Sequence, residues 1–307
     1  MEFQREHIEL FGTVQIRYYG IIIVAAMIVA ATVASRLARR AGHDPDHVWG
    51  ALTWAIVPGI ILARLWFVLF PPISLVEEGI DTAWFLQNFF DVQNGAIAIW
   101  SGGLSIFGAV LGGFAGAYVY MRRNKLPIGP WIDIAGVSLP LAQAIGRWAN
   151  FVNQELYGSV TTLPWGIQID SAHRVAPYES LIEYPPDALF HPLFLYESLW
   201  SLLAFIVLLN IFQRRRRTLL PGDIFLLYVI QYSFIRFLLE FIRVEVTLAG
   251  GVNVSQVVTG IGFLLAVAVF VYRRRSGVVR EPEPEIAAEP EPDSESVEQS
   301  APESPAV

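Results

Sequence analysis

The run Gly146-Arg147-Trp148-Ala149-Asn150-Phe151-Val152-Asn153-Gln154-Glu155-Leu156-Tyr157-Gly158 closes a long apolar segment with a dense set of hydrogen-bonding groups. On a helix Arg147, Asn150, Asn153 and Gln154 share a face. Such a face is a poor surface for lipid tails and a good pocket for a polar headgroup. A second apolar segment carries Tyr232, Arg236, Glu240 and Arg243 at spacings of four, four and three, again one polar stripe. Glu240 can pair with either arginine of its stripe, so an internal ion-pair ladder is one reading, but it leaves one arginine in excess. Excess positive charge inside a membrane asks for an anion. Guanidinium groups are planar, bidentate donors matched to phosphate oxygens, and a phospholipid headgroup is the anion most available there.

The elements that must hold these residues are membrane helices. Of the 307 residues 54% are hydrophobic and 16% charged, well below the roughly one-quarter charged composition of soluble domains. Apolar stretches lie near residues 17–37, 48–70, 96–120, 130–152, 191–212, 222–243 and 253–272. Each is long enough for a bilayer core of about 30 Å, or about 20 helical residues. The sequence therefore predicts an all-α integral membrane protein, a bundle of seven transmembrane helices.

Four basic clusters hold 14 of the 21 basic residues: Arg36, Arg39 and Arg40; Arg122, Arg123 and Lys125; Arg214 to Arg217; and Arg273 to Arg275 with Arg280. The positive-inside rule puts these segments in the cytoplasm, with the N-terminus outside and the C-terminus inside. Counted from the cytoplasmic helix ends at 1.5 Å per residue, Arg147, Arg236 and Arg64 lie about 25, 21 and 24 Å along, in the outer half of the bilayer. A charged group there faces a cavity, a partner or the interface. For Arg64 and Arg243, snorkelling to the outer headgroups is the other open reading.

Two outward segments complete a membrane domain spanning residues 1–275. The one at about 71–95 contains Trp84, Phe85, Phe89 and Phe90 and reads either as an interfacial helix or as a core helix under a loop. The other, at about 153–190, is rich in Pro, Tyr and acidic residues and predicts a small external head. Residues 276–307 read as a disordered, Pro-, Glu- and Ser-rich cytoplasmic tail. Its nine acidic residues from Glu281 onward account for the formal charge of −7, since the rest of the chain has 21 basic and 19 acidic residues. Glu2, Arg5 and Glu6 precede the first apolar run and its basic cluster follows, so that run reads as a retained helix rather than a cleaved signal. The absence of cysteine excludes a disulfide framework, a cysteine-ligated metal and an enzyme thiol nucleophile; any thiol chemistry belongs to the substrate.

These motifs resemble the prolipoprotein diacylglyceryl transferase family of bacterial inner membranes. The stretch Gly146-Arg147-x-x-Asn150-Phe151-x-Asn153-x-Glu155-Leu156-x-Gly158 is similar to the family's central motif. Four further matches follow in family order: Arg17-Tyr18-Tyr19-Gly20, Trp100-Ser101-Gly102-Gly103-Leu104-Ser105, His191-Pro192-x-x-Leu195-Tyr196-Glu197 and Arg236-x-x-x-Glu240-Phe241-x-Arg243. The resemblance covers about residues 15 to 275. It implies transfer of the diacylglyceryl group from phosphatidylglycerol to the thiol of the lipobox cysteine in a prolipoprotein signal peptide, with an active site toward the outer leaflet. It places the important residues at Tyr19, Arg147, Asn150, Glu155, Gly158, Tyr232, Arg236 and Glu240.

In that chemistry the leaving group is a phosphate ester, whose growing charge Arg147 and Arg236 stabilise. Asn150 and Asn153 orient the headgroup, Glu240 holds an arginine, and Tyr19 and Tyr232 donate from the pocket wall. Arg243 and His191 join the lipid-binding set. The sequence departs from the family at Phe107, where many members carry a histidine, so a general-base role is not carried over there. A thiol with a pKa of about 8.5 is already a few per cent ionised at neutral pH, and nearby arginines lower it further. His191 or Glu155 can otherwise take part in the proton transfer, and Ser159 stands where the family often has another arginine.

The resemblance calls for no cofactor, no metal and no nucleic acid. His43-Asp44-Pro45-Asp46-His47 reads as a helix start rather than a metal site. Gly108, Gly112 and Gly116 read as a close helix contact. There is no Gly-x-Ser-x-Gly elbow, P-loop or dinucleotide fingerprint. A transporter or channel for an anionic substrate is the rival class, because intramembrane arginines also line such pathways. The absence of an inverted repeat argues against it.

Overall fold

The computed structural model describes residues 2–3, 7–10, 14–216, 218–244, 246, 248–249 and 251–276. Arg5, Arg217, Arg280 and the acidic tail from residue 277 lie outside the described residues. Among them the chain forms nine α-helices: α1 (Tyr18–Arg40), α2 (Asp46–Leu69), α3 (Ile73–Glu77), α4 (Thr82–Gln87), α5 (Ile106–Arg123), α6 (Ile128–Val152), α7 (Leu193–Arg215), α8 (Asp223–Leu239) and α9 (Val254–Arg275). The helical class is as expected, and there is little sheet beside it. An antiparallel sheet of β1 (Glu2–Phe3), β2 (His7–Leu10) and β3 (Val14–Arg17) precedes α1. Two-residue strands β4 (Ile167–Gln168) and β5 (Leu189–Phe190), and β6 (Leu248–Ala249) and β7 (Val252–Asn253), pair in the loops.

Five helices, α1, α2, α6, α7 and α9, are long and apolar enough to cross a membrane. The other two that occupy expected spans are shorter. The stretch 96–120 begins its α-helix only at Ile106, because Gly102 and Gly103 turn through positive φ of 95° and 66° ahead of it. α5 then ends on Arg122 and Arg123. α8 stops at Leu239 after 17 residues, about 25 Å at 1.5 Å per residue.

α6 is the central helix, packed against α1, α7 and α8. At its N-terminal end Trp131, Ile134 and Val137 form a core with Leu37, Ala38, Leu208, Phe212 and Ile224. The start of α8 is fixed to it through Asp133, whose carboxylate accepts from the backbone N–H of Gly222 at 2.8 Å and of Phe225 at 3.0 Å. Asp223, fully buried, pairs with Arg273 at 3.0 Å and Arg274 at 2.9 Å and so ties α9 to α8. The turn before α2 is a helix start as expected, since Asp44 Oδ1 accepts from Asp46 N–H at 2.9 Å.

α5 packs on α2 along the expected glycine row. A Cβ on Gly108, Gly112 or Gly116 would collide with the carbonyl oxygens of Leu62, Pro58 and Trp54 respectively. Gly112→Leu is therefore expected to force α2 and α5 apart and to lower the melting temperature of the detergent-solubilised protein, an overpacking cost of about 1–3 kcal/mol or more. Gly113→Ala, whose Cβ meets only Ala55 O at 3.8 Å, is expected to melt like the parent.

Arg64 is 6% exposed and does not snorkel. Its Nε donates to Ala96 O at 2.9 Å, Nη2 to Gly95 O at 2.7 Å, and Nη1 to Gly102 O at 2.8 Å and Gly103 O at 3.1 Å. The charge is spread over four carbonyl dipoles, which a loop inside a membrane protein must satisfy internally. Arg64→Met takes the arginine from Ala96 O, Gly102 O and Gly103 O at about 1–3 kcal/mol for each that is buried, while Gly95 O keeps the Ala98 N–H at 3.1 Å. Faster proteolysis between Gly95 and Gly103 is the expected readout. The segment around α3 and α4 divides the two readings: Phe85 is buried with Val68 and Ala96, while Phe90 is 81% exposed.

The head at 153–190 is organised around Tyr157, Ile169 and Phe190. Arg174, 5% exposed, donates to the carbonyls of Ile169, Tyr184, Pro185 and Pro186. It is an internal brace of the head.

Candidate active site

Where α6, α7 and α8 meet, their apolar faces carry charge. Arg147 Nη2, near the end of α6, lies 2.5 Å from Glu197 Oε2 on α7. The other oxygen of that carboxylate accepts from Arg236 Nη1 of α8 at 3.2 Å. Arg236 Nη2 lies 2.5 Å from Glu240 Oε1, the residue that caps α8. Glu240 Oε2 accepts from Asn253 Nδ2 at 2.9 Å, and Asn253 also caps α9 through its bond from Gln256 N–H. The four charged side chains are 21%, 7%, 13% and 1% exposed in the order Arg147, Glu197, Arg236, Glu240. Removal from water makes each pairing stronger than at a surface.

Glu197 changes the charge count. It pairs with both arginines, and Arg243 lies in the electrostatic field of Arg236, Glu240, Glu197 and Arg147, so three arginines surround two glutamates and one arginine remains in excess as expected. The ladder of ion pairs is the arrangement present, extended across three helices. Glu197 is in plain sight in the sequence as a carboxylate in an apolar segment. Its partners lie on other helices, so helical spacing within α7 gives no sign of them.

Arg147 Nη1 donates to Asn150 Oδ1 at 3.4 Å, and Asn150 Nδ2 donates to Glu155 Oε1 at 2.7 Å. Tyr19, half-buried on α1, lies in the electrostatic field of Glu155 and Arg147. Tyr232 stacks on Tyr228 with ring centroids 6.0 Å apart, one turn before Arg236. Tyr228 OH accepts from Gln143 Nε2 at 3.0 Å, and Gln143 lies one turn before Arg147. Gln143 and Tyr228 thus extend the facing polar stripes of α6 and α8, a continuation that sequence reasoning missed although both fall on the right helical spacing.

Both stripes end sooner than a continuous helix predicts. α6 stops at Val152, Asn153 is its cap, and Gln154 has a positive φ of 51°. Gln154 consequently turns to the head, where it donates to Asp170 Oδ2 at 2.7 Å. Among the described residues no hydrogen bond ties the Asn153 side chain to the charged row. Arg243 lies past the end of α8 and pairs as an antiparallel bridge with Gly158. Gly158 N–H donates to His191 O at 2.9 Å, and a Cβ there would stand 2.8 Å from His191 Cβ and 2.9 Å from Ile242 O. Gly158, His191 and Arg243 form a backbone seam that holds the head on the bundle. The His191 ring is engaged with Tyr196 OH at 3.1 Å, which also accepts from Trp165 Nε1 at 2.9 Å. Phe107 is 65% exposed and packs on Trp66, with centroids 5.9 Å apart.

Fold and site together define a multi-pass helical membrane protein with an Arg147–Glu197–Arg236–Glu240 row of ion pairs between α6, α7 and α8. A family model described as prolipoprotein diacylglyceryl transferase matches residues 5–272, and the chain belongs to that family. It is 39% identical over 283 residues to the phosphatidylglycerol–prolipoprotein diacylglyceryl transferase of Chloroflexus aggregans, covering 87% of this chain and 88% of that protein. The proteins of the same description from Pediococcus pentosaceus and Synechococcus elongatus are 36% and 34% identical, covering 86% and 91% of this chain and 88% and 91% of their own lengths.

Proposed function

We propose that the protein transfers the diacylglyceryl group of phosphatidylglycerol to the thiol of a prolipoprotein lipobox cysteine. The substrate thiolate attacks the glyceryl carbon that bears the phosphate, a C–S bond forms and the C–O bond to phosphate breaks. Glycerol phosphate leaves, and the thiol proton passes to it or to water. The observation that carries this reading is the convergence of Arg147 and Arg236, from different helices, on the two oxygens of one carboxylate. Two oxygens of a phosphate ester present the same acceptors, and two donors fixed in advance stabilise charge as it grows on them.

In this reading Arg147 and Arg236 touch the phosphate, and Glu197 and Glu240 hold them in place. Asn150, backed by Glu155, orients the headgroup beside Arg147. Tyr19 and Tyr232 supply hydroxyl donors along the wall, Asn153 lines the entrance, and Gly158, His191 and Arg243 set the position of the head above the pocket. Family membership and the row of apolar helices support a seven-crossing bundle of α1, α2 and α5 to α9 in the bacterial inner membrane. Basic last turns on α1, α5, α7 and α9 support cytoplasmic ends there. The N-terminus is then outside and the site faces the outer leaflet. Residues 1–275 form the catalytic domain and residues 276–307 a cytoplasmic tail.

The test incubates purified full-length protein with phosphatidylglycerol and a lipobox peptide. The peptide is expected to gain one diacylglyceryl mass, stable to hydroxylamine as a thioether is, and a peptide with serine in place of the cysteine is expected to stay unmodified. No mass gain on the cysteine peptide would refute the proposal.

A further inference from the structure

At the end of the bundle opposite the charged row, the last turns of α1 and α7 border a cavity of about 550 Å³ lined by Arg40, Phe212, Gln213, Arg214 and Arg216. Three of these five residues carry guanidinium groups and none is acidic. Glu197 and Arg214 are 17 residues apart on α7, about 25 Å of helix, so the cavity is separate from the Arg147–Arg236 site. One wall is fixed: Arg216 Nη2 donates to the carbonyl of Arg40 at 3.2 Å, and its guanidinium lies 5.7 Å from the Phe212 ring centroid. The two buried carboxylates at this end are already engaged, Asp223 by Arg273 and Arg274 and Asp133 by the backbone N–H groups of Gly222 and Phe225.

α7 adds an apolar approach. Leu202, Leu203, Ile206 and Val207 are 42%, 56%, 48% and 47% exposed on its outer surface. Val207 and Arg214 are seven residues apart, about two turns and 10 Å, and so lie on one face. An acyl chain laid along that face brings its headgroup to the cavity. Basic pockets between helices at a membrane surface bind anionic headgroups for this reason.

We propose that this cavity is a second lipid site, which takes the phosphate headgroup of an anionic phospholipid whose acyl chains lie on α7. It does not depend on the transfer reaction. Phospholipid is the occupant rather than soluble phosphate because exposed Leu203 and Val207 stand on the face of α7 that leads to Arg214.

Native mass spectrometry of the full-length chain in detergent tests it, with phosphatidylglycerol, phosphatidylcholine or inorganic phosphate as the probe. The triple variant R40Q/R214Q/R216Q is expected to retain one phosphatidylglycerol fewer than the parent, and R147A/R236A to lose a different one, so that combining them is additive. Phosphatidylcholine retention is expected to be the same in parent and triple variant. Equal phosphatidylglycerol retention by parent and triple variant overturns the site, as does a matching loss of phosphatidylcholine. Retention of inorganic phosphate in place of lipid overturns its assignment to a lipid. R214Q alone, at an exposed side chain, is expected to lower retention in the same direction if the triple variant does not fold; unchanged retention by folded R214Q then counts against the site.

Discussion

Arg236→Ala is expected to reduce diacylglyceryl transfer by at least about 10²–10³-fold, the loss typical of one donor aimed at developing charge. Arg236 is the link between two carboxylates, with Glu197 at 3.2 Å and Glu240 at 2.5 Å. Its removal takes away one of the three arginines around Glu197 and Glu240, so Arg147 and Arg243 only balance the two carboxylates. The excess positive charge that would hold a phosphate is then lost. Breaking a buried pair by deleting one partner also costs about 3–5 kcal/mol of stability, so the rate must be read alongside a melting curve. Arg236→Lys separates the two effects. It restores the charge and much of the stability, but one ammonium does not span both carboxylates as the planar fork does. Its transfer rate is expected to stay well below the parent's. Initial rates with phosphatidylglycerol and a lipobox peptide check both variants; an Arg236→Ala rate close to the parent's contradicts the assigned role.

Glu197→Gln is expected to divide the kinetic constants. In the parent one carboxylate occupies a guanidinium edge of both Arg147 and Arg236, so an arriving phosphate must share those donors with it. The amide removes the competing charge and leaves the arginine pair with an extra positive charge, which strengthens ground-state binding of phosphatidylglycerol and lowers KM. It also loosens the spacing of the two guanidiniums, and misplacement by about 1 Å can cost about 10²-fold in rate. The expected outcome is a lower KM with a kcat reduced by about that factor, with KM and kcat measured separately over a phosphatidylglycerol titration. A variant in which KM rises while melting falls would mark Glu197 as a purely structural residue.

Much of this was legible in the residues themselves. The apolar runs fixed the long helices to within a few residues, because a bilayer-length segment has few alternatives to a helix. The glycine row on α5 announced a close contact, and Arg147 with Asn150, and Arg236 with Glu240, were visible as helical neighbours. What spacing could not give was anything past a helix end or across helices. Gly102 and Gly103 shortened α5, positive φ at Gln154 turned a polar face into the head, and the end of α8 at Leu239 put Arg243 in a backbone bridge with Gly158 while its charge still acts on Arg236 and Glu240. Arg64 read as an awkward charge because its four carbonyl partners lie more than 30 residues away in a loop. Glu197 was visible as a residue, but its role was not, for the same reason: it is set by arginines on α6 and α8.

The most direct test of the paired-arginine claim is single-turnover transfer by the R147A/R236A double variant, compared with the parent at saturating phosphatidylglycerol and equal amounts of folded protein. If the two guanidiniums bind and stabilise the leaving phosphate, the parent converts the lipobox peptide to its diacylglyceryl thioether and the double variant yields no product above the enzyme-free background. Full conversion by the double variant would contradict the assignment of the phosphate to Arg147 and Arg236.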